Sequence, residues 1–87
     1  MNYQVHWLPE PEDELVKIWL AARDRQYLRE AIDAFEQQCA VNPLSLGESR
    51  HGLFRVVFVG PLTIWINVDP AKKTVIVCSI ERNNSNL

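Results

Sequence analysis

The chain has 87 residues and a formal net charge of −2. That length implies one domain, residues 1–87, with a modest core, since a chain of this size buries roughly 60–65% of the surface its unfolded form exposes. An acidic total argues against a protein that coats nucleic acid by charge alone, yet it divides into −5 over residues 1–48 and +3 over residues 49–87, leaving room for a locally basic surface.

"NYQVHWL" sets Tyr3, Val5 and Trp7 against Gln4 and His6, the two-residue period of a half-buried strand. In "PEPEDELVKIWLAARD" the period changes. Pro9 and Pro11 stop the strand, Glu12 to Glu14 load a first helical turn with negative charge, and Leu15, Ile18, Trp19 and Ala22 form an apolar stripe. Asp24 is the expected N-cap of a second helix with the stripe Leu28, Ala31, Ile32, Phe35 and Cys39, ending near Asn42-Pro43. With almost no linker between them, the two helices should form an αα-hairpin.

"PLSLGES" reads as irregular. Three strands follow, over Leu53 to Val59, Leu62 to Val68 and Thr74 to Ile80, with turns at Gly60-Pro61 and "DPAKK". The polar tail "ERNNSNL" should fray. The order β-α-α-β-β-β predicts an α+β fold, a helical hairpin packed on a small twisted antiparallel sheet. Alternation predicts that Phe54, Val56 and Phe58, with Leu62, Ile64, Ile66 and Val68, meet the helices. Arg55, Val57, Thr63, Trp65 and Asn67 would then occupy the open face. The last strand is apolar on both sides and leaves its facing open.

Cys39 and Cys78 are far apart, with no CxxC or Cys/His spacing, so no metal site or redox pair is expected and both thiols should be reduced and buried. No cofactor motif occurs. The chain shows no basic-then-apolar leader, and Gly60-Pro61 breaks its longest apolar run, so the expectation is a cytoplasmic protein without a membrane partner.

A few residues invite functional readings. Arg55 places a permanent charge in an apolar strand; with Arg50 and Arg82 it would grip phosphate, guanidinium groups being bidentate phosphate donors. The plainer reading is an arginine whose stem covers the sheet or which pairs with an acid such as Glu81. His51, in the loop beside Gly52, titrates near neutrality and is the candidate proton carrier, with Glu48 as its partner or as the base; a solvated loop histidine is the plainer reading. An outward Trp65 would stack an RNA base or be covered by a partner protein. His6, Trp7 and Trp19 read as structural.

Taken together, "YQVHWLPEPEDEL", "IWLAARDR", "NPLSLGESR", "GLFRVVFVGPLTIWINVD" and "TVIVCSIER", in that order and spacing, resemble the RelE/ParE superfamily of toxins from bacterial type II toxin–antitoxin systems, the plasmid stabilisation proteins. The resemblance runs over nearly the whole chain. It implies a cognate antitoxin that wraps and neutralises the toxin, a homodimer or toxin–antitoxin hetero-oligomer, and one of two targets. RelE-like members cut mRNA on the ribosome; ParE-like members inhibit DNA gyrase without hydrolytic chemistry. A third class is a non-toxic relative that keeps the fold and its partner. RelE-like catalysis rests on basic residues of the open sheet face and a C-terminal aromatic or histidine. By that pattern Arg55, Arg82 and His51 would be catalytic, and Arg50, Arg55, Trp65 and Arg82 would contact nucleic acid. Val57 and the Leu62–Thr63 step fall where the family carries further bases, and the tail "NNSNL" holds neither tyrosine nor histidine.

Overall fold

The computed structural model of the chain describes residues 2–83. Its elements are β1 (Gln4–Trp7), α1 (Pro9–Ala21), α2 (Arg25–Val41), β2 (Glu48–Ser49), β3 (Phe54–Val59), β4 (Leu62–Asp69) and β5 (Thr74–Arg82), with a single 3₁₀ turn at Pro43–Ser45. The five strands form one mixed sheet in the order β1-β5-β4-β3-β2, and the fold class is α+β.

α1 opens with Pro9 at its first position and Glu10 and Glu12 in its first turn, the charge sign that a helix N-terminus favours. Ile18 is buried, while Leu15, Trp19 and Ala22 pack against the core. α2 begins as its sequence predicts, the Asp24 carboxylate accepting the Tyr27 N–H at 2.9 Å. Arg25 then turns back on α1 and donates to the carbonyls of Trp19 at 3.1 Å and Leu20 at 3.0 Å. The Trp19 carbonyl also accepts the Ala22 N–H at 3.2 Å, so a backbone bond and one side chain together close the end of α1 and fix the hairpin. Leu28, Ile32, Phe35 and Cys39 form the buried stripe of α2.

α1 approaches the sheet along β5 and α2 along β1 and β3, and the central strand β4 fills the core beneath them. Leu62, Ile64, Ile66 and Val68 are all buried, each stabilising the fold by about 1.5–3 kcal/mol relative to exposure. Val75, Val77 and Ile80 of β5 join them. Both Val77 and Ile80 face inward because Cys78 is an extra residue: the register passes from Ile66↔Val77 to Trp65↔Ser79. This bulge settles the facing that two apolar sides left open.

Three expectations are corrected. The sheet is not wholly antiparallel, because β1 pairs in parallel with Thr74–Val77 of β5. After β1, α1 continues along β5, and α2 brings the chain back until the Ala40 carbonyl meets the Tyr3 N–H at 2.7 Å. β3 and β5 then set out in the direction β1 ran. The irregular segment contains β2, which pairs Glu48 with Val56 and Ser49 with Arg55. The third correction is the parity of β3. The Gly60-Pro61 turn pairs Val59 with Leu62, Val57 with Ile64 and Arg55 with Ile66. Paired residues share a face, so Val57, Val59 and Arg55 look toward the helices, while Phe54, Val56 and Phe58 look away. Glu81 and Arg82 belong to β5, and the remainder of the polar tail, 84–87, lies outside the described residues.

No helix among the described residues is long and apolar enough to cross a membrane. The parity of β3 is tested by paired substitutions. Val57→Asp places an unpaired charge in the core and should unfold the protein, whereas Phe58→Asp should leave a cooperative transition within about 1 kcal/mol of the parent. Thermal denaturation followed by circular dichroism ranks the two, and the opposite ranking would refute the register.

Candidate macromolecular interface

The turn from β2 to β3 is closed by two backbone bonds, the Arg50 N–H to the Phe54 carbonyl and the Phe54 N–H to the His51 carbonyl, both 3.0 Å. It places His51 at an exposed tip. Arg50 is also exposed, and its guanidinium lies 2.7 Å from the Glu48 carboxylate. An exposed pair of this kind contributes up to about 1 kcal/mol, but it leaves Arg50 partly neutralised as a phosphate ligand.

Arg55 is not on the open face. Its side chain is half-buried on the helix side of the sheet, and Nε donates to the Leu46 carbonyl at 2.7 Å. The permanent charge in the strand therefore anchors the connection between α2 and β2. Gly47 shows how closely that connection approaches β3: with φ at +56°, a Cβ there would come within 2.0 Å of the Val56 carbonyl oxygen. Only glycine fits both the backbone and the space.

Arg82 is exposed at the end of β5, opposite Leu62. Arg55 sits opposite Ile66, four residues further along β4 and on its other flank. Strand spacings put the two backbones roughly 16 Å apart, and the Arg55 Nε–H is already engaged by the Leu46 carbonyl. His51, Arg55 and Arg82 are thus not assembled around a common point. Of the nucleic-acid candidates, Trp65 lies on the open face, half-buried, between Val56 of β3 and Ser79 of β5, and Arg50 reaches its edge, where Glu48 holds its guanidinium.

What the open face does hold is apolar. Phe54, Val56 and Phe58 of β3 stand there with Trp65 and with Ile76 of β5. Val56 is only 2% exposed although it is on the side away from the helices, so the face carries a small cluster of its own. Phe58 is 59% exposed beside it. Of the strand residues on this face the charged ones are acidic, Glu48, Glu81 and Asp69, and His6 is exposed at its far side. At its edge the Arg50 guanidinium is paired with Glu48, and no strand residue among the described residues adds a basic amine or guanidinium to this face. The face is suited to covering by an apolar partner surface and poorly suited to a polyanion.

The sequence reading missed Phe54, Val56 and Phe58 as surface groups. The signal was present in the turn: a two-residue loop at Gly60-Pro61 forces Val59 against Leu62, and every facing upstream follows from that pair.

The thiols are free. Cys39 is fully buried, and burial, with the Glu36 carboxylate adding to it, pushes its pKa up to about 12. Cys78 is half-buried and burial also raises its pKa. No group of three or more His, Cys, Asp or Glu side chains among the described residues is arranged to hold a metal ion. No protein-family model matches the chain, and no curated protein matches it.

Two measurements check this geometry. Replacing Arg55 with methionine keeps the stem and removes the bond to Leu46; urea unfolding should show a loss of about 1.5–3 kcal/mol, against less than about 1 kcal/mol for Arg50→Ala. In alkylation, the thiolate is the reactive form, so native protein should label at Cys78 alone, more slowly than a free thiol and faster as pH rises. Cys39 should react only after unfolding.

Proposed function

We propose that this chain is the toxin of a RelE/ParE-type toxin–antitoxin module and that it acts in the ParE-like manner, by occupying a protein target, DNA gyrase, through its open sheet face. The family assignment rests on the resemblance of the ordered segments and is supported by a helical hairpin packed on a sheet whose first and last strands are neighbours. The choice between targets rests on one observation. The open face presents Phe54, Phe58 and Trp65 with acidic neighbours, while Arg55 is turned away and bonded to the Leu46 carbonyl.

Ribosome-dependent mRNA cleavage makes a different demand. It needs a base, an acid for the leaving oxygen and positive charge on the phosphorane-like intermediate within a few ångströms of one another. Arg55, Arg82 and His51 would have to be brought together to meet it. A protein-occupying role needs an exposed aromatic cluster with a polar rim, which is the anatomy that carries most binding energy at protein interfaces.

Induced expression in a bacterium, without a cognate antitoxin, tests the proposal. The expected outcome is growth arrest with DNA breaks and SOS induction, intact mRNA, and inhibition of purified gyrase by the purified protein. Phe58→Ser should relieve arrest by a factor of ten or more, about 1.4 kcal/mol or greater of lost binding, without unfolding the chain. Cut mRNA abolished by Arg55→Ala would instead establish the nuclease reading, and no arrest at all would establish a non-toxic relative.

A further inference from the structure

Beyond Val77, no strand among the described residues lies on the outer flank of β5. β1 covers Thr74–Val77, and the chain then leaves as α1. Backbone directions along the exposed part can be read from its two ends. The Val77 carbonyl points outward and accepts the Leu8 N–H at 3.2 Å, whereas the Asn83 N–H points the other way and donates to the Pro61 carbonyl at 2.6 Å. Counting back from Asn83 with a period of two, Glu81 and Ser79 turn toward β4, their partners there being Thr63 and Trp65. The N–H and C=O groups of Ile80 and Arg82 are therefore directed outward.

α1 runs beside this flank without closing it. Between the helix and the stretch Cys78–Arg82 lies a trough of about 580 Å³, bordered on the helix by Glu10, Pro11 and Glu14. At roughly 3.3 Å per residue the unpaired stretch is about 16 Å long, enough for a short added strand. Its lining carries three carboxylates, Glu10 and Glu14 from the helix and Glu81 from the strand, against the single guanidinium of Arg82. Exposed strand edges invite pairing, and proteins guard them with bulges and charges. Here the bulge at Cys78 and the acidic border disfavour a second copy of this chain, whose own carboxylates would meet them. The same charges attract a basic strand.

We propose that the outer flank of β5 between Cys78 and Arg82 accepts an extended basic segment of a partner protein, added as a strand in line with β1. Main-chain bonds to Ile80 and Arg82 supply the affinity, and the carboxylates of Glu10, Glu14 and Glu81 select lysine or arginine at alternate positions. The inference uses a sheet edge and not the open face, so it stands or falls independently of the toxin reading.

The test uses the full chain and two capped heptapeptides, one alternating lysine with valine and the other alternating glutamate with valine. At millimolar concentration the lysine peptide should slow amide hydrogen exchange at Ile80 and Arg82 and protect Cys78 from alkylation, and the glutamate peptide should do neither. The double variant Glu10→Lys/Glu14→Lys should weaken the lysine peptide roughly tenfold or more and confer binding on the glutamate peptide. Arg82→Pro, which removes one outward donor, should lose the protection while keeping the thermal transition; if it fails to fold, the charge reversal carries the test. Absence of protection at Ile80 and Arg82, equal binding of both peptides, protection centred on Phe54 and Phe58, or a dimer that protects the edge without peptide would each overturn the proposal.

Discussion

The pairing of Val59 with Leu62 across Gly60-Pro61 governs the rest of the molecule. Gly60, with φ at +56°, followed by a proline whose ring holds φ negative, has the sign pattern of a tight type II′ hairpin turn. A two-residue turn allows no slippage, and one residue of slippage would exchange the two faces of β3. Because β4 must present Leu62, Ile64, Ile66 and Val68 to the helices, β3 has to present Arg55, Val57 and Val59 on that side. Arginine is thereby forced toward the helix layer. The structure accommodates it at the periphery, where the Leu46 carbonyl accepts its Nε–H and the guanidinium avoids the dry centre around Ile64.

That accommodation explains the character of the opposite face. Phe54, Val56 and Phe58 stand outward because their neighbours stand inward, and Val56, paired with Trp65 on that side of the sheet, is almost fully covered. An aromatic surface of this kind lowers solubility unless something covers it. Charge follows the same division: the guanidinium groups of Arg50 and Arg55 are engaged by Glu48 and by a loop carbonyl, and Glu81 and Asp69 remain on the sheet surface.

Much of this architecture was legible in the residues. The stripes on α1 and α2, the Asp24 cap, the inward set of β4 and the order of the elements all follow from periodicity and turn chemistry. The facing of β3 was misread because "RVVF" is apolar at both Val56 and Val57, so alternation alone cannot choose, and the arginine was allowed to break the tie in the wrong direction. The bulge at Cys78 left no local mark, since "VIVCSIER" offers apolar side chains to either face. β2 is too short to show a period. The parallel contact of β1 with β5 joins residues at opposite ends of the chain, and no window of sequence reports it. Of the candidate site residues, Trp65 was placed correctly on the open face, while Arg55 was not, for the reason that governs β3.

The neighbouring of Gln4 with Thr74 and Trp7 with Val77 has a kinetic consequence. Closing a loop of about seventy residues costs entropy that local contacts do not repay, so this pairing belongs to the late, slow part of folding. Until it forms, β1 is held through α2, by the Tyr3 bond to Ala40 and by the Trp7 indole, which donates to the Glu36 carboxylate at 2.8 Å and meets the Phe35 ring edge-on. The contacts that tie the opening strand to α2 thus close loops about half as long as its pairing with β5 does, and carry a smaller entropic cost.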